Sequence, residues 1–239
     1  MLILALDTTS EKGGAAVYRD HQCLALAPNE GRANQYSVTL FQLTERALAE
    51  AGVNLGEVEL FAVANGPGSF TGIRVGVAAT QGWAKAFNRP VRGVSVLEAL
   101  VEEARPTTDW AVPILDARRG EFFLGVFRRP GETGIEIGPS LVAEDDGWVL
   151  NRPALAAFLR ERLAGEASVT CLAREHDHEV RSLPEALPGS FRWQLVAGPL
   201  LGAIARRAWQ AAGVGQLQSP EQLDAYYIRR PDAELNWRE

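Results

Sequence analysis

Gly66-Pro67-Gly68-Ser69-Phe70-Thr71-Gly72-Ile73-Arg74 is the stretch of this chain best furnished for chemistry, and that chemistry belongs to the backbone. Gly66 and Gly68 permit dihedral angles closed to other residues, Pro67 fixes one φ, and the hydroxyl of Ser69 or Thr71 can cap a following helix. A strand-to-helix turn of this kind is one generic way to build an anion site. The hydroxyls of Thr8, Thr9 and Ser10, which follow Asp7, can hold a phosphate or a water, or bond their own turn. Asp116, Arg118 and Glu121 form a polar group that reads either as a ligand contact or as a hairpin held by local salt bridges. In Arg174-Glu175-His176-Asp177-His178-Glu179 two histidines flank a carboxylate; a solvated loop suits them better than a metal, because no third, distant ligand is marked.

The equipment for catalysis is thin. There is no G-x-x-x-x-G-K-[ST] loop and no G-x-S-x-G elbow. Glycines follow Asp7 only at positions 13 and 14, behind Glu11, whose carboxylate would repel a phosphate. The chain has three histidines, none of them beside a serine-rich turn, so a nucleophile and its base are not marked. Binding is the function that survives this subtraction.

The elements that must position these residues follow from periodicity. Residues 2–7 are almost all apolar, as in a strand covered on both faces, and shorter strands follow near 15–18 and 23–26. Tyr36, Leu40, Leu43, Ala47 and Ala51 recur at spacings of three and four, predicting an amphipathic helix over 35–51 that ends at Gly52. A strand over 58–64 and a helix over 71–87 complete a βββαβα half. Gly72, Gly76, Ala79 and Thr80 leave one face of that second helix nearly bare; each interior glycine costs about 1 kcal/mol relative to alanine, so a neighbouring helix or a partner chain is expected close against it. Ser95-Val96-Leu97-Glu98 reads as a capping box opening a helix to about Ala104. Beyond it come a hairpin over 111–116 and 121–127, an exposed connection over 130–147, helices over 153–163 and 197–212, a strand over 168–173 and a helix start at Ser219-Pro220. The expected division is a lobe over 1–105 and a second over 106–239, with an order of elements compatible with two related lobes.

Composition sets bounds. With 24 basic and 30 acidic side chains the net charge is −6, which argues against this chain being the main grip on a nucleic acid. The arginine pairs 118–119, 128–129, 206–207 and 229–230 read as solvated surface charge unless folding makes them converge. No apolar run reaches the ~18 residues of a membrane span, the first residues lack the basic start of a signal peptide, and Cys23 and Cys171 stand far apart outside any C-x-x-C, so a cytoplasmic, reducing compartment is expected.

The GPGSFTGIR string followed by Val75-Gly76-Val77, the opening Ile3-Leu4-Ala5-Leu6-Asp7-Thr8-Thr9-Ser10, and Leu115-Asp116-Ala117-Arg118-Arg119-Gly120-Glu121 resemble the bacterial TsaB (YeaZ) family. The similarity covers residues 1–127, fades over 128–215 and returns in Tyr226-Tyr227-Ile228-Arg229. The resemblance implies an α/β fold of the actin, hexokinase and Hsp70 (ASKHA) type: two related ribonuclease H-like lobes with mixed sheets flanked by helices. It implies a non-catalytic scaffold in threonylcarbamoyladenosine modification of tRNA. Such a scaffold binds the catalytic subunit TsaD, has TsaE as a third, ATP-hydrolysing partner, pairs with itself when alone, and meets tRNA only through the complex. TsaD carries a metal-holding histidine pair where this chain has Gly31-Arg32-Ala33-Asn34-Gln35-Tyr36-Ser37-Val38, so neither a metal nor a catalytic residue is expected here. Carried onto this sequence, the interface falls on Tyr36, Leu40, Leu43 and Ala47 of the first helix and Ile73, Gly76 and Ala79 of the second, with Gly66, Pro67, Gly68, Ser69, Thr71 and Gly72 as a structural turn. On that reading Gly76→Leu wedges the contact apart. No cofactor is required; a nucleotide would sit near Asp7, Thr8 and Asp116 or at an interface shared with a partner. The alternatives are a self-sufficient ATPase or small-molecule kinase of the same superfamily, and a peptidase acting on its partner.

Overall fold

A computed structural model of the chain describes residues 1–30, 35–129, 142–144, 147–163, 165–166, 168–184 and 191–229. Gly31–Asn34, most of the connection expected over 130–147, and Arg230 lie outside the described residues.

In the first unit β1 (Leu2–Asp7), β2 (Gly14–Arg19) and β3 (Gln22–Pro28) form an antiparallel meander, and α1 (Tyr36–Ala51) carries the chain to β4 (Leu60–Gly66), which pairs parallel to β1. Then α2 (Phe70–Phe87) crosses to β5 (Val91–Ser95), parallel to β4. Parallel neighbours need such crossovers, which is why the helices alternate with strands here and not in the meander. The sheet order is β3-β2-β1-β4-β5. Every residue of β1 is buried, as its unbroken apolar run requires, and fully burying a Leu or Ile contributes about 1.5–3 kcal/mol.

After α3 (Val96–Ala104) the second unit repeats the scheme. β6 (Trp110–Arg118) pairs antiparallel with β7 (Glu121–Leu124) and, at its other end, with the short β8 (Phe127–Arg128), which β9 (Val142–Ala143) flanks. β10 (Trp148–Asn151) lies antiparallel on β7, α4 (Arg152–Arg162) leads to β11 (Val169–Arg174) parallel to β6, and α5 (His178–Arg181) leads to β12 (Arg192–Val196) parallel to β11. The path β10-β7-β6-β11-β12 therefore has the same order and directions as the first sheet. Two mixed sheets of one topology, each flanked by helices, are the two ribonuclease H-like lobes of an actin- and hexokinase-like fold. β5, β10 and β12 have no counterpart in the sequence reading, because each is a short edge strand without clean alternation.

The expected boundary at residue 105 differs from the observed division in the C-terminal part. The compact units are 1–99 with 198–226, and 100–197 with 227–239. α6 (Leu201–Gly213) buries Leu201, Ile204, Ala205 and Ala208 against β1, β4 and β5 of the first sheet, a long-range pairing that no local pattern encodes. It also redirects Glu98, which does not close a capping box. Its carboxylate accepts from the Nε of Arg207 at 2.6 Å, and Ser95 Oγ alone caps α3 by accepting from the Leu97 N–H.

Candidate functional site

The glycine-rich turn and the Asp7–Ser10 turn are bonded to each other. Asp7 Oδ1 accepts from the Thr9 N–H (2.9 Å) and hydroxyl (2.6 Å), Thr8 Oγ1 donates to the Gly72 carbonyl (2.7 Å), and the Ser69 N–H donates to the Thr9 carbonyl (2.8 Å). Ser69 Oγ accepts from the Gly72 N–H, so it is the cap of α2, and Thr71 is left exposed. Asp7, Thr8 and Thr9 are buried. The Thr8–Gly72 and Ser69–Thr9 bonds tie this turn to the glycine-rich one as a clasp, while the Thr9 hydroxyl is taken up by Asp7.

That clasp explains the bare face of α2. A Cβ on Gly72 would overlap the Thr8 carbonyl oxygen, and one on Gly76 would overlap Thr8 Oγ1 and press on Val63. For Gly72 and Gly76 the close neighbours are thus Thr8, just past β1, and Val63 of β4. Only Gly82 among these glycines is open, with no atom within 4 Å of a Cβ placed there.

Of the seven residues expected at the interface, Tyr36, Leu40, Leu43, Ala47, Ile73 and Gly76 are buried within this chain, and Ala79 alone stays half-buried. The three-and-four spacing marks the stripe that packs on the helix's own sheet, which is why these residues are buried. Tyr36 shows the reason most directly: its hydroxyl donates to the Ser10 carbonyl (2.9 Å) and accepts from the Gly13 N–H (3.1 Å), pinning the β1–β2 turn. The outward surface of the same helices is a different set. Val38 is 69% exposed and Phe41 56%, with Phe41 edge-on to Trp83 at 5.5 Å. Ala78 and Gly82 are exposed on α2, and at its start Phe70 lies beneath the Arg74 guanidinium at 3.9 Å. The signal available in the sequence was Val38 and Phe41 standing apolar between the polar residues of α1.

In the second unit Asp116 holds a turn. Its Oδ1 accepts the Arg118 N–H (2.7 Å) and its other oxygen pairs with the Arg118 guanidinium (3.2 Å), where a bulge interrupts the β6–β7 ladder. Asp177 spends both carboxylate oxygens, one on the Asp116 N–H and one capping α5 at the Val180 N–H. The segment holding His176 and His178 is thus a capped turn rather than a plain loop, and among the described residues no three His, Cys, Asp or Glu side chains converge as metal donors. Glu121 accepts from Arg229 (2.7 Å), not from Arg118. Arg128 pairs with Glu144, Arg129 donates to the carbonyls of Pro106 and Thr108, and Arg207 is held by Glu98.

The family model described as TsaD, tRNA N6-adenosine threonylcarbamoyltransferase, matches residues 28–158. The tRNA threonylcarbamoyladenosine biosynthesis protein TsaB of Escherichia coli is 30% identical over 70% of this chain and 69% of its own length. The TsaB of Bacillus subtilis is 32% identical over 54% of this chain and 56% of its own length. The chain belongs to the TsaB family. YeaZ of Pseudomonas aeruginosa matches in fold with a TM-score of 0.71 at 24% identity, covering 95% of this chain and 99% of that one. Membership in the TsaB family together with a match to the TsaD model describes a paralogue of TsaD, and the matched segment contains α1 and α2 whole.

Proposed function

We propose that this chain is a non-catalytic scaffold in tRNA threonylcarbamoyladenosine biosynthesis, docking TsaD through the outward face of α1 and α2. The observation that carries the reading is the exposure of Val38 and Phe41 on a helix whose inner stripe is already satisfied. Exposed aromatic anchors are costly to leave in water and typical of interface centres. The occupant follows from paralogy: the TsaD model spans both helices, so TsaD brings corresponding helices to the contact, and a pseudo-symmetric four-helix arrangement buries both faces. Without TsaD, a second copy of this chain takes the same place as a homodimer. TsaE joins as the ATP-hydrolysing partner, tRNA is met through the assembly, and any nucleotide sits at an interface shared with a partner. The setting is the cytoplasm; no helix among the described residues is long and apolar enough to cross a membrane.

Reconstitution tests this. Threonylcarbamoylation of tRNA by TsaD and TsaE is expected to require this chain, while the isolated chain with ATP and magnesium shows neither tight binding in a calorimeter nor turnover. Turnover by the chain alone would instead establish the self-sufficient ATPase or kinase, and cleavage of TsaD would establish the peptidase.

A further inference from the structure

We propose that Gly82 of α2 is the point at which a helix of TsaD comes closest to this chain, seating an apolar side chain against the bare α2 backbone beside Trp83; this rests on the docking face proposed above and makes Gly82 a determinant of its fit. α2 carries three glycines, and two of them are explained inside the chain, since Gly72 and Gly76 leave room for Thr8 and Val63. Gly82 has no such reason. Nothing lies within 4 Å of a Cβ placed there, and the residue is exposed. Its φ is negative, so the backbone does not call for glycine, and it is no cap, because α2 runs on to Phe87 and Asn88 makes the left-handed turn at φ 50°. In a helix interior glycine is disfavoured more than any residue except proline, so the fold alone would be better served by alanine.

The surroundings supply the other half of the argument. Trp83, the next residue, meets the exposed Phe41 of α1 edge-on, with ring centres 5.5 Å apart, so an aromatic wall stands beside the gap and joins the two helices. The fully buried Phe61 of β4 lies 6.4 Å from the Trp83 ring and backs it. A helix arriving on this face meets apolar rings on the α1 side and bare backbone at 82, and glycine is the residue that lets another chain approach a backbone closely. Bulk at 82 would hold the two helices apart, since the distance between packed helices is set by the side chains at their contact. The occupant follows from paralogy: the TsaD model matched over 28–158 contains α1 and α2 whole, so TsaD carries corresponding helices to lay against them. Glycine at 82 therefore weakens α2 in the free chain and improves the fit of the docked one.

The test measures melting and TsaD affinity side by side on the full chain, by circular dichroism and by calorimetry with purified TsaD. Gly82→Ala is expected to melt about 2–4 °C higher than the wild type and to bind TsaD about tenfold more weakly. Gly82→Leu, whose side chain stands in solvent in the free chain, is expected to fold and to lose affinity at least about a hundredfold. Gly213→Ala, which adds the same methyl group at an equally open glycine at the end of α6, is expected to keep wild-type affinity. A variant that is more stable yet binds less well is not a misfolded one, so Gly82→Ala carries the test if leucine disturbs the fold.

Wild-type affinity in both Gly82 variants, with Phe41→Glu weakened, overturns the role of Gly82 and leaves the face standing. A loss shared by Gly213→Ala also overturns it. So does weaker self-association of Gly82→Ala at unchanged affinity for TsaD, which gives the gap to a second copy of this chain. Wild-type affinity in Phe41→Glu as well, or failure of the wild type to bind TsaD, overturns both this inference and the docking face on which it rests.

Discussion

The carbonyl oxygen of Tyr226 occupies the space that a Cβ on Gly66 would need, and the Tyr226 N–H donates to the carbonyl of the adjoining Asn65 at 2.7 Å. Asn65 Nδ2 donates to the Asp224 carbonyl and Gln81 Nε2 to the Leu223 carbonyl, so the segment 223–226 is laced across the end of β4 and onto α2. Gly66 sits at φ +127°, closed to other residues. Gly66→Ala is therefore expected to destabilise the protein by about 2–3 kcal/mol through strain and collision together. Urea unfolding checks it, and a midpoint equal to the wild type would refute the packing.

Gly76 and Gly82 should respond in opposite directions. Leucine at 76 must enter space held by Thr8 and Val63, so Gly76→Leu is expected to fail to fold, which makes it unusable as a probe of partner binding. At 82 there is room, and Gly82→Ala is expected to stabilise by about 1 kcal/mol through helix propensity alone. Circular dichroism melts of the two variants decide this; a native-like melt for Gly76→Leu contradicts it.

Phe41→Glu is the substitution that addresses docking. The side chain is more than half exposed, so the monomer fold should survive, with a melting temperature lowered only by the lost edge-on contact with Trp83. Affinity for TsaD is expected to fall by at least about thirtyfold, the equivalent of ~2 kcal/mol at a hot spot. Calorimetry with purified TsaD measures it, and wild-type affinity would remove this face from the interface.

Burial pushes the Cys171 thiol up to about 12, from an ordinary value of 9.0. In the unfolded chain it ionises near 9.0, so the unfolded state sheds its proton first as pH rises. The associated stability is whole below that value and declines by about 1.4 kcal/mol per pH unit between the two. Native protein at pH 8 is expected to be alkylated at exposed Cys23 and spared at Cys171, with Cys171 becoming reactive only on unfolding. Mass spectrometry of iodoacetamide-treated protein checks it; native labelling at Cys171 would contradict its burial.

Much of the fold was legible because strong local patterns agreed with it. The apolar run of β1, the three-and-four stripe of α1 closed at Gly52, and the Ser69 cap of α2 each reappear where the residues indicated. Glu98 did not, since a distant Arg207 outcompetes a weak local bond for its carboxylate. The residues expected to stand free on α1 and α2, other than Ala79, are buried for a related reason. Periodicity locates the buried stripe of a helix, and Leu40 and Ile73 are buried by their own sheet.

By itself the sequence determined the longer elements, the tight glycine turn and the family, since these rest on neighbours in the chain and on short motifs, while the short edge strands β5, β10 and β12 escaped it. Tertiary structure decided what each face of those elements meets. It set Thr8 against Gly72, brought α6 back to the first sheet, and left Val38 and Phe41 facing outward. Burial is a property of the packed chain, because the same apolar residue is core or contact depending on which surface distant segments reach first.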